Sequence, residues 1–177
     1  MRRYGLLLAL IASQFAATVA SAAERLASYG VDPVQISVSG ISSGAFMANQ
    51  LHVAHSAEIM GVGLVAGGLY GCAVSDTGDQ GVTALISIAI GACMRAPNLL
   101  KPPETYAGRI RSFAARGWID PVENLAKARL YAFTGHSDSV VNAETVRRAV
   151  AVYGVLGVRP RNSSMTRDQA RTPGIPG

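Results

Sequence analysis

Gly40-Ile41-Ser42-Ser43-Gly44 stands where a strand pattern gives way to a helix pattern. Before it, Val34-Gln35-Ile36-Ser37-Val38-Ser39 alternates apolar and polar residues and is rich in β-branched ones, which predicts a strand over 34–39. After it, Phe46, Met47, Leu51 and Ala54 recur at helical spacing, which predicts a helix over 44–59 with Gly61 as its cap. A serine held between glycines at such a junction fits the G-x-S-x-G turn, where a sharp bend lifts the hydroxyl above the sheet. Gly40 and Gly44 leave the room that the bend requires. Ser42 is therefore the candidate nucleophile. The Ser43 backbone N–H, at the positive end of the helix dipole, is the candidate oxyanion donor. A glycine-rich turn that only packs, or that binds phosphate, would use the same residue types.

The remaining pattern supplies the frame for that turn. Val62-Gly63-Leu64-Val65-Ala66 reads as a short buried strand broken by Gly67-Gly68, followed by a loop over 69–81. Residues 82–94 are apolar almost throughout and suit a buried helix. Pro102-Pro103 opens a helix running to about 116, since proline belongs in a first turn. Leu130-Tyr131-Ala132-Phe133-Thr134 reads as another strand, and Asn142 caps a helix over 143–156. Strands alternating with helices predict an α/β fold, a three-layer αβα sandwich around a mostly parallel sheet.

Both ends of the sequence differ from its middle. Arg2 and Arg3 precede an apolar run over 6–20, and Ala20-Ser21-Ala22 offers small residues for cleavage, so 1–22 reads as a secretory signal and the product as secreted or periplasmic. Residues 159–177 hold four arginines and three prolines with little to bury, which predicts a disordered basic tail unable to form a strand. The net charge of +5 resides in these ends: between them lie ten basic and ten acidic residues. A neutral body has no electrostatic footprint for nucleic acid. After signal cleavage nothing in the sequence calls for a membrane. Cys72 and Cys93, the two cysteines, read as a disulfide in an exported chain. The sequence shows no cluster of metal ligands.

A triad needs a carboxylate that fixes a histidine base, in the chain order serine, acid, histidine. Asp138 suits the acid, because the strand over 130–134 leads into Gly135-His136-Ser137-Asp138. None of His52, His55 and His136 follows Asp138. His52 lies ten residues beyond Ser42 on the same helix, about 15 Å along its axis. His136 shares the acid's own loop, which leaves little room for a base–acid hydrogen bond.

With these residues in hand, the sequence resembles the exported, single-domain polyhydroxybutyrate (PHB) depolymerases over residues 31–158. The likeness is carried by the run from Gln35 through Gly44 and its helix to His52, by Val65-Ala66-Gly67-Gly68 with Tyr70 and Cys72, by Cys93-Met94, by Ile119-Asp120-Pro121, and by Asp138-Ser139-Val140-Val141. It implies a circularly permuted α/β-hydrolase using a serine–aspartate–histidine triad on a hydrophobic polyester, through an acyl-enzyme and without cofactor. It gives the nucleophile role to Ser42, the acid role to Asp138 and an oxyanion role to the Ser43 amide. Residues 23–158 would then be a partial catalytic domain. Members of that family continue with a further strand and the catalytic histidine, where this sequence turns to proline and arginine; the expectation is a truncated or frame-shifted product of impaired activity. A general carboxylesterase or feruloyl-type esterase, and a non-catalytic exported polyester-binding homologue, are the alternatives.

Overall fold

The computed structural model describes residues 25, 27–74, 81–159 and 163–168, the last six by backbone alone. The expected signal over 1–22 lies outside the described residues. The chain divides into two units, Met1–Val31 and Asp32–Gly177, and the sheet belongs entirely to the second.

Among the described residues four strands make one parallel sheet in the order β1-β2-β3-β4, with β1 Ile36–Ile41, β2 Ile59–Val65, β3 Arg129–Gly135 and β4 Ser163–Asp168. The α-helices are α1 Ser43–Ala54, α2 Val82–Ile90, α3 Pro103–Ala115 and α4 Ala143–Val155. This is the α/β architecture that the sequence predicts. Register explains which strand residues enter the core. Val38 pairs with Val62 and that with Leu130, while Gly40 pairs with Leu64 and that with Ala132. Alternation places these side chains on one face, which α1 and α4 cover with Ala45, Ala48, Val53, Ala149, Val152 and Tyr153. The described residues thus build one side of an αβα sandwich. On the opposite face Tyr131 is 44% exposed.

Several boundaries differ from the expectation, each for a physical reason. Strand β1 begins at Ile36 because Val34 and Gln35 close a turn on Asp32: the Val34 N–H donates to the Asp32 carboxylate and the Gln35 N–H to the Asp32 carbonyl. It reaches Ile41 because pairing with β2 persists to Val65. Helix α1 stops at Ala54, where the Asp120 N–H takes the Ala54 carbonyl and the Asp120 carboxylate accepts the Ala57 N–H. Gly61 does not cap it; Gly61 lies within β2, and a Cβ there would sit 3.1 Å from the Arg129 carbonyl oxygen.

Two larger corrections follow. Helix α2 was expected to be buried, yet none of its residues is, and the α-helix yields at Gly91 to a π-helical turn ending at Arg95. Residues 159–177 were expected to hold no strand, yet Ser163–Asp168 pair with β3 from Leu130↔Ser163 to Gly135↔Asp168. An unpaired sheet edge is a template for any extended chain, and this pairing uses backbone groups irrespective of side-chain apolarity. Asn142 does cap α4 as predicted, its Oδ1 accepting the Glu144 N–H at 2.9 Å.

Candidate active site

Strand β1 ends directly against α1, and Ser42 is the residue between them. Its backbone has φ 53° and ψ −122°. A left-handed φ is unfavourable for a side-chain-bearing residue and costs about 1–3 kcal/mol when the surroundings impose it. Those surroundings are explicit. The Ser42 N–H donates to the Val65 carbonyl at 2.9 Å, and the Ser42 carbonyl accepts from Ala45 and Phe46 at 2.9 and 3.0 Å. A serine at a helix N-cap ordinarily turns its hydroxyl onto the first turn; the Ser42 side chain makes no such bond. Its hydroxyl is left for other chemistry, and the half-buried residue is not in the packed interior. The Ser43 N–H belongs to the first turn, whose donors have no intrahelical acceptor.

The two glycines of the motif are not equivalent. A Cβ on Gly40 would lie 2.3 Å from the Gly44 carbonyl carbon, whereas one on Gly44 would meet nothing within 4 Å. The helix backbone presses on β1 at Gly40, so that position alone must be bare.

Asp138 follows β3, and because the strands are parallel it stands at the same end of the sheet as Ser42. Its Oδ1 accepts the N–H groups of Val140 and Val141, both at 2.9 Å. These bonds fix the carboxylate on its loop and leave Oδ2 outside both of them.

Beside Ser42 opens a cleft of about 380 Å³. Its lining is mostly apolar: Phe46, Met47, Leu69, Val74 and Met94 contribute side chains, with Ser42, Ser43 and Gln50 among the polar members. Cys72 and Cys93 form a disulfide and both line this cleft.

No family model matches the chain. It is 43% identical over 121 residues to a poly(3-hydroxybutyrate) depolymerase of Delftia acidovorans, covering 68% of this chain and 22% of that protein. It is 34% identical over 151 residues to a polyhydroxybutyrate depolymerase of Talaromyces funiculosus, covering 84% of this chain and 38% of that one. Two solved structures superpose on it. One is a PHB depolymerase complexed with an R3HB trimer, at TM-score 0.65 and 30% identity over 81% of this chain and 41% of that chain. The other is the PHB depolymerase from Penicillium funiculosum, at TM-score 0.63 and 31% identity over 77% and 38%. Over the matched residues the chain is similar to PHB depolymerases. It spans about a fifth to two fifths of the length of the relatives it matches.

Each of the three histidines of the chain has a defined setting. His52 is fully buried. Its Nδ1 lies 2.7 Å from the Tyr153 hydroxyl, which donates to Asn49 Oδ1 at 3.0 Å, and Asn49 Nδ2 donates to the Gly68 carbonyl. One phenolic proton serves one acceptor, so His52 carries its proton on Nδ1 and gives it to Tyr153. Its Nε2 is buried without a partner among the described residues. Burial lowers the His52 pKa to about 4 and pushes the Tyr153 phenol up. His55 is exposed at the end of α1, and His136 is exposed after β3. Among the described residues no imidazole is hydrogen-bonded to Ser42 or Asp138.

Sequence reasoning missed the cleft wall and the Asn49–Tyr153–His52 network, because both join residues far apart in the chain. The disulfide closes 21 residues of chain between wall and helix. Replacing both cysteines by serine is expected to lower unfolding free energy by about 3 kcal/mol, read from urea titrations.

Proposed function

We propose that this chain carries the nucleophile and acid of a serine ester hydrolase acting on polyhydroxybutyrate or a similar apolar polyester, exported from the cell. The observation that carries the reading is the Ser42 backbone, with φ 53° and ψ −122° at the carboxyl end of a parallel strand and a hydroxyl unused for capping. In this scheme the Ser42 Oγ attacks the ester carbonyl carbon as its proton passes to a base. The carbonyl oxygen gains negative charge facing the Ser43 N–H, in a setting where fixed dipoles stabilise the transition state. Collapse expels the alcohol, which takes a proton, and leaves an acyl-enzyme for water to hydrolyse. Asp138 orients the base and stabilises its charged form. The mostly apolar cleft beside Ser42 suits the hydrocarbon part of a hydroxyalkanoate, and the disulfide suits an oxidising compartment.

The base itself stays unassigned, since His52 is locked in the core and neither exposed histidine bonds to Asp138. That observation favours one second reading, a homologue that binds polyester without cleaving it. A fluorophosphonate probe separates the two. The hydrolase reading expects one probe mass on Ser42, none on Ser42→Ala, and faster labelling when imidazole is added as a diffusible base. Folded protein that stays unlabelled with imidazole present leaves the binding reading standing.

A further inference from the structure

One wall of the cleft beside Ser42 runs through residues 69–74, which form no helix or strand. Backbone groups in such a segment lack a ladder and must be satisfied individually. Gly71 shows how. Its N–H donates to Oε1 of Gln50 on α1 at 3.0 Å, and its carbonyl accepts from Nη1 of Arg109 on α3 at 2.7 Å. The same nitrogen donates to the Val74 carbonyl at 2.9 Å. Gln50 Nε2 closes the grip, reaching the Phe46 carbonyl at 3.2 Å and the Leu69 carbonyl at 3.5 Å. Between these anchors Gly71 holds φ +59°, a conformation open to glycine at little cost.

We propose that Gln50 and Arg109 are positioning residues that set the width of this cleft and thereby select the acyl group presented to Ser42. The inference rests on the hydrolase reading of the cleft. Apolar contact between wall and helix is non-directional and cannot fix a spacing by itself. Hydrogen bonds are directional, and those from a guanidinium are among the stronger ones. Gln50 stands two turns beyond Ser42 on the helix that the nucleophile begins, so it references the wall to the nucleophile's own element. The disulfide anchors Cys72, and the Val74 N–H donates to the Gly71 carbonyl at 3.1 Å, which closes the turn on itself. The Gln50–Arg109 clamp is what ties that turn to α1 and α3.

The experiment compares second-order labelling of Ser42 by ethyl and octyl fluorophosphonates in the wild type, Gln50→Leu, Arg109→Met and Arg109→Lys. The octyl-to-ethyl ratio is expected to shift about tenfold in Gln50→Leu and Arg109→Met, because pocket fit discriminates per methylene. Ethyl labelling reports reaction of Ser42 itself and is the reference against which octyl labelling is read in each variant. Arg109→Lys, whose ammonium reaches one carbonyl, should recover part of the ratio. A ratio unchanged in the folded variants overturns the proposal, and so does an equal loss with both probes, which marks a merely structural role. Should Arg109→Met fail to fold, Gln50→Leu alone decides. If wild-type Ser42 takes no probe, the hydrolase reading fails separately. The clamp is then read from displacement of N-phenyl-1-naphthylamine by methyl esters of increasing chain length. A changed length preference in the variants upholds it, and an unchanged one overturns it.

Discussion

Gly40→Ala is expected to unfold the elbow and abolish reaction of Ser42, while Gly44→Ala leaves both intact. The added Cβ at position 40 would lie 2.3 Å from the carbonyl carbon of Gly44, 2.4 Å from its oxygen and 2.7 Å from the Ala45 nitrogen. All three are backbone atoms of the first turn of α1, which cannot swing aside as a side chain can. Relief requires α1 to move away from β1, and that displaces Ser42, whose N–H and carbonyl are tied to Val65 on one side and to Ala45 and Phe46 on the other. The cost is about 3 kcal/mol or more, at the upper end of overpacking penalties. At position 44 the same methyl meets nothing within 4 Å. Alanine in place of a helical glycine stabilises by about 0.5–1 kcal/mol. Urea titration and fluorophosphonate labelling of the two variants give opposite results if the elbow is as described. Equal behaviour of both would show that it is not.

Lowering the pH from 7 to 4 is expected to remove about 3 kcal/mol of stability through His52 alone. Its folded pKa is about 4 against 6.5 for a free imidazole, and the cause is burial. The sign follows from proton uptake. Between those values the unfolded chain binds a proton and the folded chain does not, so stability is full above about pH 6.5 and falls as pH drops toward 4. Protonation would place a second N–H on Nε2, in a buried position that offers it no acceptor among the described residues. Glu144 contributes only at the acid end of this window: Arg147 holds its carboxylate below the usual 4.5, so its stabilising contribution begins to be lost as pH falls through that value. The check is the difference in urea midpoint between pH 7 and pH 4 in wild type and His52→Gln. Without the imidazole the pH dependence in this window should largely vanish. An unchanged slope in His52→Gln would place the acid sensitivity elsewhere.

Much of the setting of Ser42 was readable in order along the chain. A strand, a glycine, a serine and a helix are consecutive, so local pattern contains them, and Asn142 as a cap rests on contacts two residues apart. Boundaries were less legible. Gly61 looks like a helix cap in sequence, but Asp120, sixty-odd residues away, ends the helix earlier and the sheet claims the glycine. Ser163–Asp168 has no strand-like apolar pattern, and its pairing with β3 uses main-chain groups that every residue carries. The apolarity of α2 predicted burial, but burial depends on partners from elsewhere, and Val82, Ile86 and Ile90 stay exposed.

Residue type and short-range order determined by themselves the elbow, the α/β alternation, the pair of cysteines and the absence of any histidine after Asp138. Tertiary structure alone decided that Asp138 stands at the same end of the sheet as Ser42. It also decided that His52 is spent on Tyr153, and that Gln50 and Arg109 meet at Gly71. The reason is range: turns and caps are satisfied within a few residues, whereas a cleft wall or a buried polar network exists only after distant segments have been packed into contact.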